Sequence, residues 1–489
     1  MSVSPSTRRR GVDAPWVGTA RRFALSGAVV VAVAAVVSVL LLQDPLVGFG
    51  VAGGFVLLSM FGVADLRTPR VLTLRAYRWM PAAWLVLFVI SNHQLDPNRS
   101  PLDAAAGLAS LHNVAEIGAY GAIATVIALM WNFRGEDGPM RVSWGPLVVL
   151  PIFAGASVLW SVIPVFSLVR SVQLAVPLAL AVLLARIWRA NPEIGLELWR
   201  RTLTALVLAV VALVAYGWIV YGPGAAVNDG RFTWPMMHPV HAGIYCAVGL
   251  LVVLVGGRSF TRLPVSLLWA IVAALSLSLY LTRTRSALGA FAVAFVVSLL
   301  LPPRSDAARR YVGLVWLGGG AVLAWVLSGQ AIMEYLARGQ SADVFTTLNS
   351  RVPLWNVAFE ELGEATRWLT GFGFGSARVV LFARVSWAGT AHNAWVELLV
   401  GVGVIGCVAV AIAVLHTVYR SLTLANSLSR VETRLAATIA VFLVVVSLTT
   451  SELAIPGFDY SLLMLVYALT VALVARHRSP LAGSARAAG

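Results

Sequence analysis

The sequence predicts an all-α, polytopic integral membrane protein with about 12–14 transmembrane helices and one large extracytoplasmic loop. The first observation is composition: the 489 residues are 59% hydrophobic and only 12% charged, whereas soluble proteins carry about 25% charged residues. The second is that the apolar residues fall in runs of about 20, the length needed to cross a bilayer. A water-soluble enzyme and a disordered chain are both excluded, because each needs a far more polar sequence.

Fourteen segments meet the criterion for a span, and short polar connections separate most of them. In chain order they are 23–42, 45–64, 77–92, 113–132, 143–163, 168–185, 202–221, 240–257, 263–281, 286–302, 311–328, 393–416, 435–452 and 459–475. The first is too long for a cleavable signal peptide, and a second span follows it at once. The two cysteines, Cys246 and Cys407, lie in apolar runs and predict core positions rather than a disulfide or a metal site.

Arginine sets the predicted orientation, since the chain contains no lysine and has a net charge of +15. Cytoplasmic segments are enriched in basic residues, and the arginine-rich N-terminus is therefore placed inside. Every second connection is then also arginine-rich, which puts both ends in the cytoplasm. The basic residues lie between the predicted spans instead of forming one patch. The positive charge is therefore better explained by orientation in a membrane than by nucleic-acid binding. The predicted parts are a cytoplasmic tail (1–22), a bundle of about eleven spans (23–328), the extracytoplasmic loop (329–391), further transmembrane helices (392–475) and a cytoplasmic tail (476–489).

Ten arginines fall on the opposite side and need another explanation. They are Arg99, Arg170, Arg231, Arg283, Arg285, Arg338, Arg351, Arg367, Arg378 and Arg384. Five of them lie in 329–391, the only long loop, and loops of this length are usually functional. Within the loop, residues 353–369 carry an apolar stripe at helical spacing with glutamates opposite. This pattern predicts an amphipathic helix lying on the outer membrane surface.

The candidate site residues lie on this outer side. Arg283 and Arg285 stand in a tight turn between two spans, where a charge either snorkels to lipid phosphate or faces a functional partner. Arginine offers a planar fork of donors that matches phosphate oxygens, so an anionic substrate is the functional alternative. Arg351 precedes the amphipathic stripe, and as a single residue it is also compatible with a solvated loop position.

His392 and Asn393 lie where the long loop meets the next span. Histidine can act as a base near neutral pH, although a single interfacial histidine is more often structural. The presence of Arg283, Arg285 and Arg351 on the same outer side favours a catalytic role for His392. Asn393 would then orient His392 or bind substrate. His238 and His241 have a spacing that could bind a metal, but no third ligand lies nearby in the sequence, and no metal site is expected.

Two further features have structural interpretations. Gly371-Phe-Gly-Phe-Gly375 lacks the strand–turn–helix context of a nucleotide-binding loop, and its glycines instead predict a tight return of the loop toward the membrane. Acidic residues also occur in or beside spans, at Glu116, Glu397, Glu452 and Asp459. Such residues form proton paths in transporters, or they pair with arginines.

The order of these motifs resembles the O-antigen ligase / O-antigen polymerase superfamily, over roughly residues 150–416. The resembling segments are Trp160-Ser-Val-Ile-Pro164 with Ser167-Leu168, Gly230-Arg231 with His238-Pro239, Thr282–Ala287, Arg351 with Trp355, Gly371–Gly375, His392-Asn393, and Gly403 with Gly406. Thr284 and Ser286 stand where the family has serine and glycine. Arg285, Arg351 and His392 match the essential arginines and histidine of the family.

The resemblance implies about a dozen transmembrane helices and transfer of a glycan from a polyprenyl diphosphate carrier to an acceptor hydroxyl on the outer face of the cytoplasmic membrane. It implies Arg285, Arg351 and His392 as catalytic residues, without a metal or another cofactor. Arg283, Asn393, Arg231, His238 and Trp355 are expected to bind substrate. The expected partners are the lipid-linked donor, a glycan, lipid or protein acceptor, and membrane lipid, with no nucleic acid. The alternative is a transporter or flippase for lipid-linked sugars or small solutes that uses the buried acids.

Overall fold

A computed structural model of the protein describes residues 77–91, 111–131, 146–222, 230–235, 237–301, 307–337, 351–428 and 430–477. Within these ranges the chain is helical and contains no β-strand. Four of the described helices are long and apolar enough to cross a membrane, namely Pro164–Ala190, Pro192–Tyr221, Pro239–Thr261 and Ala394–Leu428, and shorter apolar helices accompany them. The predicted all-α, polytopic membrane fold is confirmed.

The helices of the first half are α1 (Trp79–Ile90), α2 (Leu111–Trp131), α3 (Val149–Ala156), α4 (Pro164–Ala190) and α5 (Pro192–Tyr221). They continue with α6 (Pro239–Leu251), a π-helical turn (Val252–Gly256), α7 (Gly257–Thr261), α8 (Val265–Leu281), α9 (Arg285–Leu300) and α10 (Ala307–Ala337). Short 3-10 turns at Pro146–Val148 and Ser157–Leu159 flank α3.

The second half contains α11 (Arg351–Leu362), α12 (Ala365–Thr370) and α13 (Ala377–Arg384), followed by α14 (Ala394–Leu428), α15 (Val431–Ser447) and α16 (Phe458–His477). Each predicted span from 77–92 onward overlaps one or more of the described helices. The first two predicted spans, the N-terminal tail and residues 478–489 of the C-terminal tail lie outside the described residues, and the number of spans stays a prediction.

The beginning of α4 differs from the prediction, which started this span at residue 168 and counted Arg170 among the outer-side arginines. Pro164 occupies the first turn of α4, a position that suits proline because its fixed φ matches the helix and its missing N–H is not needed there. The helix therefore begins four residues earlier than the predicted span. Arg170 lies inside α4, and its Nη1 is 2.9 Å from Oε1 of the buried Glu116 in α2. This contact agrees with the pairing interpretation of that acid.

Buried aromatic side chains join the helices at the centre of the bundle. α16 packs against α4, α14 and α15. The Trp199 indole N–H of α5 donates to the Leu465 carbonyl at 3.1 Å, and the Tyr460 hydroxyl of α16 donates to the Leu174 carbonyl of α4 at 3.1 Å. In an apolar medium a polar group without a partner is costly, so these bonds let the tyrosine and tryptophan lie fully buried.

The long-loop region holds two short helices where one was predicted over 353–369. Gly363 has a φ of +26°, which ends α11, and α12 begins two residues later. Leu354, Ala358 and Leu362 of α11 are buried, and the first two belong to a small core shared with α13 and the first turns of α14. These three residues of the apolar stripe therefore face protein, while Phe359 and Leu369 are exposed. The position of this region relative to the membrane surface stays a prediction.

The glycine-rich segment 371–375 docks on a kink in α14. Gly403 interrupts that helix with a φ of +68° and a ψ of −176°, which leaves carbonyls of the preceding turn without helical donors. The Phe372 and Gly373 N–H groups donate to the Val400 and Gly401 carbonyls at 2.8 and 2.9 Å. Irregular backbone inside a membrane protein needs such partners. The return predicted from the glycines is observed here.

The Trp160–Pro164 segment closes the other side of this docking site. The Trp160 indole donates to the Thr370 carbonyl at 2.9 Å, and the Val162 N–H donates to the Phe372 carbonyl at 3.0 Å. The Ser167 hydroxyl donates to the Phe374 carbonyl at 2.6 Å. These motifs form a framework that fixes where the chain enters and leaves the long loop.

Candidate active site

The candidate residues gather at one end of the bundle, which we call the site end. There α8 ends, α6, α9 and α14 begin, and α15 ends. Two contacts join these elements: the Thr284 hydroxyl before α9 donates to the Pro239 carbonyl of α6 at 3.0 Å, and the Asn393 amide before α14 donates to the Leu448 carbonyl after α15 at 3.0 Å. Segments distant in sequence are thereby brought together.

Arg283 and Arg285 are presented by the sharp turn between α8 and α9. Arg283 adopts a φ of +48° and its side chain is exposed, while Arg285 is half-buried at the first position of α9. Buried Thr282 and Thr284 hold the turn. Gly243 of α6 lies so close that a Cβ added to it would be 2.8–2.9 Å from these threonine side chains. The turn is therefore packed tightly, and the backbone that carries its two arginines is fixed in position.

Arg231 braces this turn from the neighbouring loop. Its Nε donates to the Thr282 carbonyl at 2.9 Å and its Nη2 to the Thr284 hydroxyl at 3.1 Å. A guanidinium group that makes both bonds has fewer donors left for a ligand. These contacts give Arg231 a structural role, and its expected binding of substrate stays a prediction.

Arg351 and Trp355 lie one turn apart in α11. Both side chains are half-buried, and this spacing puts them on the same helix face. Burial lowers the pKa of Arg351, and the nearby charge of Arg285 lowers it further. The two arginines, which belong to the membrane bundle and to the long loop, are therefore close enough to repel each other.

His392 lies near Arg351 and the two histidines of α6, whose charges act on its imidazole. Burial lowers its pKa from the ordinary value near 6.5 to about 4, and the charges of Arg351, His238 and His241 act in the same direction. Its imidazole is therefore neutral at pH 7 and can accept a proton. The Trp387 ring, which is 54% exposed, lies nearly parallel to the imidazole at a centroid distance of 6.3 Å.

His238 and His241 occupy the first turn of α6, with ring centroids 5.9 Å apart. His238 caps the helix, because its Nδ1 accepts the Val240 N–H at 3.2 Å. This bond occupies Nδ1 and leaves Nε2 as the other nitrogen of the ring. His241 Nε2 lies 3.6 Å from Oε1 of Glu452. Among the described residues no group of three or more histidine, cysteine or acidic side chains is arranged to hold a metal ion.

Asn393 is the N-cap of α14. Its Oδ1 accepts the N–H groups of Trp395 and Val396 at 2.9 and 3.2 Å, while its Nδ2 makes the bond to Leu448 described above. Capping by asparagine satisfies donors that a helix start leaves free. Both the oxygen and the nitrogen of this side-chain amide thus have partners within the protein. The expected contact of Asn393 with substrate stays a prediction.

Sequence reasoning did not predict that Trp387, His241 and Glu397 would lie near His392. Trp387 carries no motif signal, and His241 stood out only as half of a metal-like spacing. Glu397 stood out as a buried acid, yet its partner, the backbone N–H of Ala391 at 2.8 Å, was not foreseen. An acid in the first turn of a helix is a signal for bonding to free N–H groups, and it could have indicated this contact.

Comparison with known proteins agrees with this geometry. The O-antigen ligase family model matches residues 269–411, a range that contains Arg285, Arg351 and His392 and leaves out Arg231 and His238. A search of curated proteins finds no match. Residues 269–411 are thus similar to an O-antigen ligase domain, which supports the resemblance to the O-antigen ligase / O-antigen polymerase superfamily and a membrane glycosyltransferase type of function.

Proposed function

We propose that the protein is a glycan ligase or polymerase, which transfers a glycan from a polyprenyl diphosphate carrier to an acceptor hydroxyl. The observation that carries the proposal is the convergence of Arg285, Arg351 and His392 from three separate segments onto the site end. Two cations held close together against their own repulsion suit an anionic ligand, because the ligand's charge relieves that repulsion.

Arg285 and Arg351 bind the diphosphate of the donor. As the glycosidic bond breaks, negative charge develops on the diphosphate oxygens, and fixed guanidinium groups stabilise it without a metal ion. Arg283 and His238 are placed to contact the more distant phosphate or the first sugar. Arg231 and Asn393 contribute by holding the turn and the helix start in place.

His392 takes the proton of the acceptor hydroxyl. The acceptor oxygen forms a bond to the anomeric carbon while the bond from that carbon to the diphosphate breaks, so the polyprenyl diphosphate leaves and the imidazole becomes imidazolium. A direct displacement of this kind inverts the anomeric centre. A pKa of about 4 keeps His392 neutral in the free enzyme. The arriving diphosphate offsets the arginine charges and raises that pKa, which makes His392 a stronger base when the donor is bound.

The site end is proposed to face outward from the cytoplasmic membrane. This orientation leaves the arginine-rich connections inside and makes residues 351–391 part of the extracytoplasmic loop. The isoprenoid tail would lie between helices, with its head group reaching the arginines. The proposed partners are the lipid-linked donor, a glycan, lipid or protein acceptor, and membrane lipid.

A transporter that uses the buried acids receives less support from the contacts. Glu116 is paired with Arg170, Glu397 accepts a backbone N–H group, and Glu452 lies beside His241. Each of these three acids therefore has a partner that explains its burial, and the group formed by Arg285, Arg351 and His392 lies at one end of the bundle rather than midway.

The experiment is to measure the lipid-linked glycan pool in a deletion strain complemented with wild type or with single variants. Mass spectrometry of the polyprenyl diphosphate species gives the glycan size. His392→Ala, Arg285→Ala and Arg351→Ala should each fail to correct the pool. The matched controls His416→Ala, an exposed histidine within α14, and Arg384→Ala, an exposed arginine paired with Glu361, should correct it fully.

The kind of accumulated glycan separates the two activities. Single repeat units on the carrier indicate a polymerase, and long chains left on the carrier indicate a ligase. A pool that is the same in the deletion strain and in wild type would contradict the transferase proposal. Correction by His392→Ala at a normal expression level would place the base elsewhere.

A further inference from the structure

Ala391, the residue before His392, is held from two sides by the side chains of Trp355 and Glu397. The Trp355 indole N–H of α11 donates to the Ala391 carbonyl at 2.9 Å. Oε2 of Glu397 in α14 accepts the Ala391 N–H at 2.8 Å. Both backbone groups of Ala391 are therefore bonded, one to a residue of the long-loop region and the other to a residue of a membrane helix.

These bonds lie next to a strained backbone. His392 has a φ of +50°, in the left-handed region that side chains with a Cβ rarely adopt. Such conformations persist only where the surroundings enforce them, and they concentrate at functional sites. Asn393 fixes the residue on the other side through its three hydrogen bonds. His392 is therefore held in an unfavourable conformation by bonds to both of its neighbours.

The same arrangement connects His392 to Arg351. Trp355 follows Arg351 by one helical turn, so the bond from its indole to Ala391 fixes α11, and with it Arg351, relative to His392. Glu397 is only 5% exposed and belongs to α14, which carries His392 into the bundle. The distance between the arginine and the histidine thus depends on two bonds to one residue, Ala391.

We propose that Trp355 and Glu397 are positioning residues, which hold His392 beside Arg351 without touching the substrate. The inference deepens the proposed function and rests on His392 as its base. It assigns Glu397 a role as a hydrogen-bond acceptor, not as a proton carrier, and it assigns Trp355 a contact with the protein instead of the expected contact with substrate.

The test compares variants that keep or remove the acceptor and the donor. Glu397→Gln keeps a carbonyl oxygen for the Ala391 N–H, whereas Glu397→Ala removes it. Trp355→Phe keeps an aromatic ring but removes the indole N–H. Glu360→Ala and Trp368→Phe, at other positions of α11 and α12, serve as controls for the loss of an acid or an indole in the same region.

The readout is the reactivity of His392 toward diethyl pyrocarbonate, which modifies neutral imidazole. The full-length protein is studied in lipid nanodiscs, and modification of the His392 peptide is followed by mass spectrometry between about pH 5 and 8. Wild type, Glu397→Gln and both controls should react at a rate that varies little with pH, since His392 is neutral throughout. In Glu397→Ala and Trp355→Phe the pH profile should move toward the ordinary histidine pKa, with a midpoint near 6.

Glycan transfer by the same variants gives the second readout. We expect about a tenfold or larger loss for Glu397→Ala and Trp355→Phe, as for other small displacements of catalytic groups, and activity near wild type for Glu397→Gln. An unchanged His392 profile in both loss variants would overturn the positioning role. An inactive Glu397→Gln with an unchanged profile would mean that the acid carries a proton, which also overturns it.

Failure of the proposed function gives a different pattern. If the profiles move as expected while His392→Ala still corrects the glycan pool, the positioning contacts exist but His392 is not the base. Because the chemical readout needs no substrate, it judges the contacts separately from the transferase activity.

Discussion

The kink at Gly403 allows the most direct quantitative prediction, through the substitution Gly403→Ala. The backbone there has a φ of +68° and a ψ of −176°, a region occupied almost only by glycine. A Cβ at this position would overlap the Leu369 carbonyl oxygen and lie 2.5 Å from the Thr370 nitrogen. Because these are backbone atoms, no side-chain rotation can relieve the overlap, and the segment before the glycine-rich turn must move.

The expected cost combines two contributions. An alanine in this backbone conformation costs about 1–3 kcal/mol. Displacing the segment also breaks the bonds from Phe372 and Gly373 to the kinked helix, each with a net value of about 0.5–1.5 kcal/mol. The free energy of unfolding should therefore fall by about 2–6 kcal/mol.

The assay is thermal unfolding of the purified protein in detergent, followed by the fluorescence of its 17 tryptophans at one fixed heating rate. Gly289→Ala is the matched control, because it lies within α9 and a Cβ there would meet nothing within 4 Å. Alanine favours a helix over glycine by up to about 1 kcal/mol, so this control should unfold at the wild-type temperature or above. If Gly403→Ala unfolds at the same temperature as Gly289→Ala, the account of the kink is wrong.

Three other predictions concern the charged groups. Arg170→Ala should destabilise the protein by about 3–5 kcal/mol, because it leaves the Glu116 carboxylate buried without its cation; the double variant with Glu116→Gln should unfold at a clearly higher temperature than Arg170→Ala alone. The lowered pKa of His392, about 4, means that the unfolded chain binds more protons than the folded one between about pH 4 and 6.5. Stability should therefore rise with pH across that window, and a His392→Ala variant with an equally steep rise would contradict this assignment. Inorganic pyrophosphate, added as a probe, should raise the pKa of His392 by placing negative charge beside Arg351; a shift of the same size in an Arg351→Ala variant would show that the probe binds elsewhere.

The sequence predicted most of the helices because a membrane interior imposes a simple requirement. A span must be apolar for about 20 residues, and that property is visible in any run of the chain. The turn with Arg283 and Arg285, and the position of His392 at a helix start, followed from the same counting. The gathering of these residues with Arg351 on one side of the membrane was expected from the predicted topology, and the resemblance to a family implied it as well.

What the sequence could not predict depends on contacts between distant residues. The start of α4 was predicted four residues too late, and Glu116, the partner of Arg170, comes from another helix. The bond from Trp160 to Thr370 joins residues 210 positions apart, and the bond from Trp355 to Ala391 joins residues 36 apart. Neither bond leaves a periodic pattern. The division of the loop helix at Gly363 was likewise hidden, because the apolar stripe continues across it.

The docking of the glycine-rich segment onto α14 has a consequence for how this domain can be exchanged between relatives. The kink in α14 relies on N–H donors that come from the chain preceding it. A chimaera that replaced the loop helices alone would bring a foreign segment against the Val400 and Gly401 carbonyls, and one that replaced α14 alone would separate those carbonyls from their donors. The stretch from Arg351 through Gly403 must therefore be exchanged as one piece, together with the Trp160–Pro164 segment that closes the other side of the docking site.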